Sequence, residues 1–255
     1  MKSYKILSLV AVLFLAGCGS AGSSGGSNPA PTFPEIQGKW TVHASSTQGL
    51  GNSIVLADFM NQGGGSFSAS QAIFCEFQPT FTCAGNLIEN GTSISVQGTV
   101  TTSGALSIAF ALTGQTSCTL TITGQLSGNS MSGQYTGCND AGTWTGTTNP
   151  SSTGGYTGQL TSSVNGMTFG LSASITEGSN FLVTGSASLT GSPCFTSLTF
   201  GTPSQAVGEG ILLVDPQHGV LAIAVPSEPG TNVAYVVTPT QFCGADEGTG
   251  TLSKQ

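Results

Sequence analysis

Three features of the chain predict an all-β fold, arranged as two tandem antiparallel β-barrel or β-sandwich modules behind a signal peptide and a flexible tether. Apolar and polar residues alternate with a period of two in one stretch after another, the pattern of strands with one buried face. Turn-forming clusters separate these stretches roughly every 8 to 14 residues, the spacing of hairpin-connected strands. A closing element also occurs twice. Cys138-Asn139-Asp140-Ala141-Gly142-Thr143 returns near the C-terminus as Cys243-Gly244-Ala245-Asp246-Glu247-Gly248-Thr249, so the body reads as a duplicated unit.

In chain order, Lys2 and Lys5 supply a positive n-region, and Ile6 to Leu15 is an apolar run too short to span a bilayer. It ends in Leu15-Ala16-Gly17-Cys18, which resembles the bacterial lipobox. That resemblance implies cleavage after residue 17, acylation of Cys18 and attachment to a membrane through the N-terminal lipid. Gly19 in place of aspartate implies a bacterial cell-envelope address at the outer membrane. Residues 18–36, rich in Gly, Ser and Pro, read as the tether. Gly22-Ser23-Ser24-Gly25-Gly26 fits the G-x-S-x-G pattern of hydrolases, but no strand or helix flanks it to present the serine.

The body is acidic and almost free of cations. Charged residues are 6% of the chain, and after Lys5 only Lys39 and Lys254 are basic. A nucleic-acid partner is excluded, because that affinity rests on Lys and Arg displacing counterions.

Module 1 is assigned to 37–147. Its clearest strand is Ala105 to Thr113, where Leu106, Ile108, Phe110 and Leu112 share one face, and Cys118 to Leu126 repeats the pattern. Ser53 to Phe59 is the one stretch that reads as a short helix. Thr147 to Gly154 reads as a linker, and module 2 occupies 154–252. There Met167, Phe169, Leu171 and Ile175 alternate with polar residues, as do Leu221, Ile223 and Val225, and then Val233, Tyr235 and Val237. Gly38-Lys39-Trp40 and Gly155-Tyr156-Thr157 open the two units, and Phe74-Cys75 is echoed by Cys194-Phe195.

The opening Gly38-Lys39-Trp40, together with the later Gly133-Gln134-Tyr135, resembles lipocalin-like and avidin-like barrels. The resemblance implies up-and-down β topology and an interior able to hold a small-molecule ligand, with Trp40, Phe110 and Tyr135 as candidate binding residues. In the second unit Tyr156 stands where the first has tryptophan.

Cys18 aside, six cysteines remain, an even number in an exported chain and hence a disulfide framework. Cys194 and Cys243 are the cysteines of the second unit and should pair. By the duplication Cys75 should then pair with Cys138, leaving Cys83 for Cys118. No Cys-x-x-Cys occurs and neither histidine lies near a cysteine, so no metal site and no cofactor are expected.

Chemistry is sparse. His218 lies in Asp215-Pro216-Gln217-His218-Gly219, which reads as a turn, and Glu76, Glu89, Glu177 and Glu209 show no spacing that pairs carboxylates. Asp140 and Asp246 read as carboxylates folded onto backbone amides, one per motif being too few for calcium. The expected function is therefore a non-catalytic binding or structural role in the cell envelope, toward a small-molecule or envelope ligand. The alternative is a secreted hydrolase using His218 or paired carboxylates.

Overall fold

The period-two alternation of the sequence becomes strands throughout. The computed structural model describes residues 30–49, 52–77, 81–85, 93–113, 118–192, 197–201, 204–215, 219–224, 231–237, 244 and 246–255. No helix occurs among them. The first nine strands are β1 (Gly38–Ser46), β2 (Asn52–Gly63), β3 (Ser66–Phe77), β4 (Phe81–Gly85), β5 (Ser93–Val100), β6 (Ala105–Thr113), β7 (Cys118–Ser127), β8 (Ser130–Gly137) and β9 (Asp140–Asn149). They lie in the order β2-β1-β9-β8-β7-β6-β5-β3-β4, and β2 also pairs with β3. That last pairing closes eight of them into an antiparallel barrel, with β4 left as an extra partner of β3. Chain neighbours are sheet neighbours around the ring, so the barrel runs up and down, and closure removes its exposed edges.

A second sheet takes the rest of the chain: β10 (Gly154–Ser162), β11 (Thr168–Glu177), β12 (Val183–Thr190), β13 (Ser197–Phe200), β14 (Gln205–Val207), β15 (Gly210–Asp215), β16 (Gly219–Ala224), β17 (Thr231–Val237) and β18 (Asp246–Lys254). Its order is β13-β12-β11-β10-β18-β17-β16-β15-β14. Here too the first strand lies between the second and the last. Residues 181–183 meet 204–206 where β14 would otherwise be an edge: Val183 N–H donates to the Ser204 carbonyl at 3.0 Å, and Ala206 N–H to that of Phe181 at 2.9 Å.

Inward-facing positions form two hydrophobic cores. Trp40, Phe59, Phe67, Ile94, Val96, Ile108, Phe110, Met131, Tyr135 and Trp144 belong to the first core. Tyr156, Leu160, Phe169, Val183, Leu189, Phe200, Leu221, Tyr235 and Leu252 belong to the second. Both sheets lie within one compact unit, Thr32–Gln255.

Four boundaries differ from the sequence expectations. Residues 53–59 are strand, not helix: the run Ile54-Val55-Leu56-Ala57 lacks alternation because β2 is laddered on both sides, to β1 and β3, and covered on both faces near Ala57 and Asp58. The linker shrinks to residues 150–153, since β9 runs on to Asn149 against β1. The tether ends before residue 36, because Ile36 is fully buried, accepts a bond from the Trp40 indole at 2.9 Å, and Phe33 packs on the same core. The second sheet likewise reaches Lys254, two residues beyond 252, through the ladder of β18 on β10.

Candidate functional site

The repeated Asp-x-Gly-Thr element builds the same hydrogen-bonded group in both sheets. In the first, Asp140 opens β9 and accepts from three donors: Tyr135 Oη at 2.7 Å, Ser46 Oγ at 2.6 Å and the Ala141 amide at 2.8 Å. In the second, Asp246 opens β18 and accepts from Tyr235 Oη at 3.0 Å, Ser162 Oγ at 2.6 Å and the Glu247 amide at 2.9 Å. The glycine two residues on explains the motif. A Cβ on Gly142 would stand 2.7 Å from a ring carbon of Tyr135 and one on Gly248 2.8 Å from that of Tyr235, each also overlapping a carbonyl across the ladder. Glycine thus lets each tyrosine lie flat against the last strand and reach the aspartate.

Burial pushes the Asp140 carboxyl up, but bonds from Ser46, Tyr135 and the Ala141 amide outweigh it and leave it below the usual carboxylate range. Burial, and the bond to Asp140, push the Tyr135 phenol up to about 12. The expectation that these aspartates fold onto backbone amides matches the bonds to Ala141 and Glu247. Nothing in the repeated motif itself marks the tyrosine and serine partners, although both tyrosines lie upstream of it in sequence.

The second cluster is ionic and lies where the two sheets meet. Lys39, on the outward face of β1, has a side chain 2% exposed, and its ammonium lies 2.7 Å from Glu177 at the end of β11, itself 7% exposed. The same Nζ donates to Ser152 Oγ at 2.7 Å, and the Ser152 amide donates to Glu177. Opposite Lys39 in the β1–β2 register stands Asp58, wholly buried. One of its oxygens, Oδ1, accepts the Gly208 amide at 3.2 Å, while Oδ2 is buried with no partner. Gly208 sits between β14 and β15 with φ of +55°, and a Cβ there would meet the Trp40 carbonyl at 2.7 Å and Leu56 Cβ at 2.9 Å. The turn therefore seats its backbone directly on β1 and β2.

Burial pushes the Asp58 carboxyl up to about 8 against the opposing pull of the Gly208 amide and the Lys39 charge. Burial also lowers the Lys39 ammonium, with the Glu177 bond and charge working the other way. Glu209, next in the turn, is raised by burial and opposed by the charge of His43. His43 itself is exposed, on the opposite pleat face from Trp40 as the strand period requires. Nothing in the sequence marked Lys39, Asp58 and Glu177 as companions; a lysine in a chain so poor in cations was the one available signal.

The cysteines correct the expected pairing. Cys118 is bonded to Cys138, not to Cys83, and Cys138 not to Cys75. The reason is local: Cys118 opens β7, Cys138 follows β8, and the β7–β8 register sets their Cα atoms 5.3 Å apart across the open end of one hairpin. Cys138 and Asn139, with φ of 54° and 58°, are the two central residues of a tight turn into β9. The backbone register of β3 and β4 sets Cys75 opposite Cys83. Cys18, Cys194, Cys243 and His218 lie outside the described residues.

The candidate binding residues converge on one interior. Trp40, Phe110 and Tyr135 are 1%, 1% and 6% exposed within the first core. The Trp40 indole and Tyr135 hydroxyl are engaged internally, with the Ile36 carbonyl and Asp140. Phe110 packs against Phe74 at a centroid distance of 5.9 Å. In the second sheet Tyr156 occupies the place of Trp40 and donates to the Ser152 carbonyl at 2.8 Å, again four residues upstream. Among the described residues no group of three or more His, Cys, Asp and Glu is placed to hold a metal ion.

No protein-family model matches the chain. No curated protein matches it either. Among solved structures it is similar to a protein of unknown function from the DUF3598 family of Nostoc punctiforme, at 8% identity and a TM-score of 0.28, over 86% of this chain and 96% of that one. A likeness at that level carries no argument about function.

Proposed function

We propose that the chain is an exported, lipid-anchored envelope protein of two duplicated β modules, with a non-catalytic binding or structural role exercised through its outer surface. The observation that carries this reading is that the large side chains of both cores are buried and that the polar tips of the candidate binding residues are engaged within the protein. Trp40, Phe67, Phe110, Leu160, Leu189 and Tyr235 are among the largest and most completely buried. A small molecule using the polar tips of Trp40 and Tyr135 would have to break the bonds that hold the indole to Ile36 and the phenol to Asp140. Contact with an envelope component falls instead to loops and outward strand faces.

Duplication is supported by the matching Ser–Tyr–Asp groups and by the upstream carbonyl each opening aromatic finds, Ile36 for Trp40 and Ser152 for Tyr156. Anchoring is supported by Leu15-Ala16-Gly17-Cys18. Growth of an expressing bacterium with an alkyne fatty acid tests the anchor: the full-length protein should take up label and fractionate with outer membrane, and Cys18→Ala should do neither. Label retained by Cys18→Ala would remove the lipoprotein reading. Native mass spectrometry of the protein from its own host should show no tightly held small molecule. A stoichiometric adduct that survives until unfolding would overturn the outer-surface reading.

A further inference from the structure

The contact between the two sheets buries more carboxylate than ammonium. Lys39 is the ammonium, Glu177 takes it at 2.7 Å, and Asp58 is the second carboxylate, wholly buried across the β1–β2 ladder. Its Oδ1 receives one long bond from the Gly208 amide and its Oδ2 none, so the site lacks the donors that an ionised carboxylate requires. The elements around it offer little more. Gln71 of β3 stands opposite Asp58 in register and is uncharged. The β14–β15 turn brings Glu209 with the Gly208 amide, and β14 brings Gln205, whose own Oε1 is buried without a partner. Lys254 of β18 acts on Lys39 and donates to the Ser151 carbonyl at 2.6 Å. His43 faces Glu209.

With Asp58 protonated, the cluster of Lys39, Glu177 and Asp58 is neutral and compact. With Asp58 ionised, it holds two negative charges against one positive in a site closed to water. We propose that this contact is a proton-operated latch: the β14–β15 turn and residues 150–153 stay seated on β1 and β2 while Asp58 is protonated, and come away as it ionises. The sign follows from linkage. Asp58 titrates near 8 in the folded chain and about 3.9 in the unfolded one, so the folded state holds a proton the unfolded state has lost. Stability from this group is fully present below the unfolded value and is lost as pH rises through the folded one.

Lys39 reports the latch directly, since acylation of its amine requires the contact to open. Full-length protein in detergent is treated with an acetylating ester over pH 6 to 9, and mass spectrometry gives the ratio of labelling at Lys39 to that of Nα-acetyl-lysine added to the same tube, which cancels the common pH dependence of amine reactivity. The ratio should rise about tenfold or more across this range, one decade per unit of displaced equilibrium. Asp58→Asn, which keeps the shape and cannot ionise, should hold it flat. A flat ratio in the wild type, or the same rise in Asp58→Asn, overturns the proposal. Should Asp58→Asn fail to fold, the wild-type urea midpoint decides: it should fall between pH 6 and 9, and a constant or rising midpoint sinks the latch.

Discussion

Replacing Tyr135 or Tyr235 by phenylalanine tests the repeated Ser–Tyr–Asp group at single-atom resolution. Each change deletes one hydroxyl and leaves in place the ring, which stays packed on Gly142 or Gly248. Each aspartate keeps two of its three donors, the serine and the following amide. A hydrogen bond to a charged group is worth roughly 1.5–3 kcal/mol. Both aspartates are partly exposed, so water replaces some of what is lost and the expected cost drops to about 1 kcal/mol per site. For a chain of this size that lowers Tm by roughly 2–4 °C. The two groups share no residue, so the double variant should lose the sum. Urea unfolding at neutral pH, followed by circular dichroism for both sheets and by Trp40 and Trp144 fluorescence for the first, gives the comparison. Equal losses at the two sites are the expected result. A loss at one tyrosine and none at the other would show that the matching geometry carries unmatched energetics, and the structural equivalence of the two motifs would fall with it.

Three further outcomes are expected. Lys39→Met leaves Glu177 buried without its cation and should cost about 3–5 kcal/mol in the urea midpoint, whereas Lys39→Met with Glu177→Leu should recover most of it. Replacing Cys118 and Cys138 together by serine opens a crosslink with a sequence separation of 20 and should cost about 3 kcal/mol in the chain-entropy model; thermal melting with and without the pair checks it. The Tyr135 and Tyr156 phenols are pushed up to about 12, chiefly by burial, from about 10 in the unfolded chain. The stability they lend is present below pH 10 and lost as pH rises through 12, so phenolate absorbance and loss of circular dichroism should appear together on alkaline titration.

Where the physics was local, the sequence was a sound guide. β6 begins and ends where Leu106 to Leu112 stop alternating, because one face meets the core and the other meets water. β2 hid its nature for the opposite reason: flanking ladders and a second covered face erase the alternation that identifies a strand. The disulfide followed proximity within a hairpin: Cys118, assigned by duplication to Cys83 because neither has an equivalent in the second half of the chain, is bonded instead to Cys138 at the open end of its own β7–β8 pair. Asp58 and Gly208 meet across 150 positions, and no pattern of period two announces such a contact. Tyr135 lies five residues before Asp140, but Tyr235 lies eleven before Asp246, so the shared partner was masked by a different connection length.

The seating of Lys39 also sets how this protein meets other surfaces. Beyond Lys5 the chain has two cationic side chains, and the fold withdraws one of them into a contact where only 2% of it sees solvent. Lys254, the other, lies 5.8 Å over the Tyr156 ring and is tied to the Ser151 carbonyl. The folded body therefore offers little counter-charge to anionic surfaces, and the chain's formal net charge of -7 works against attraction to them. With its cations withdrawn in this way, the outward face is left mostly to neutral groups, whose recognition works through shape and uncharged hydrogen bonds over contact distances.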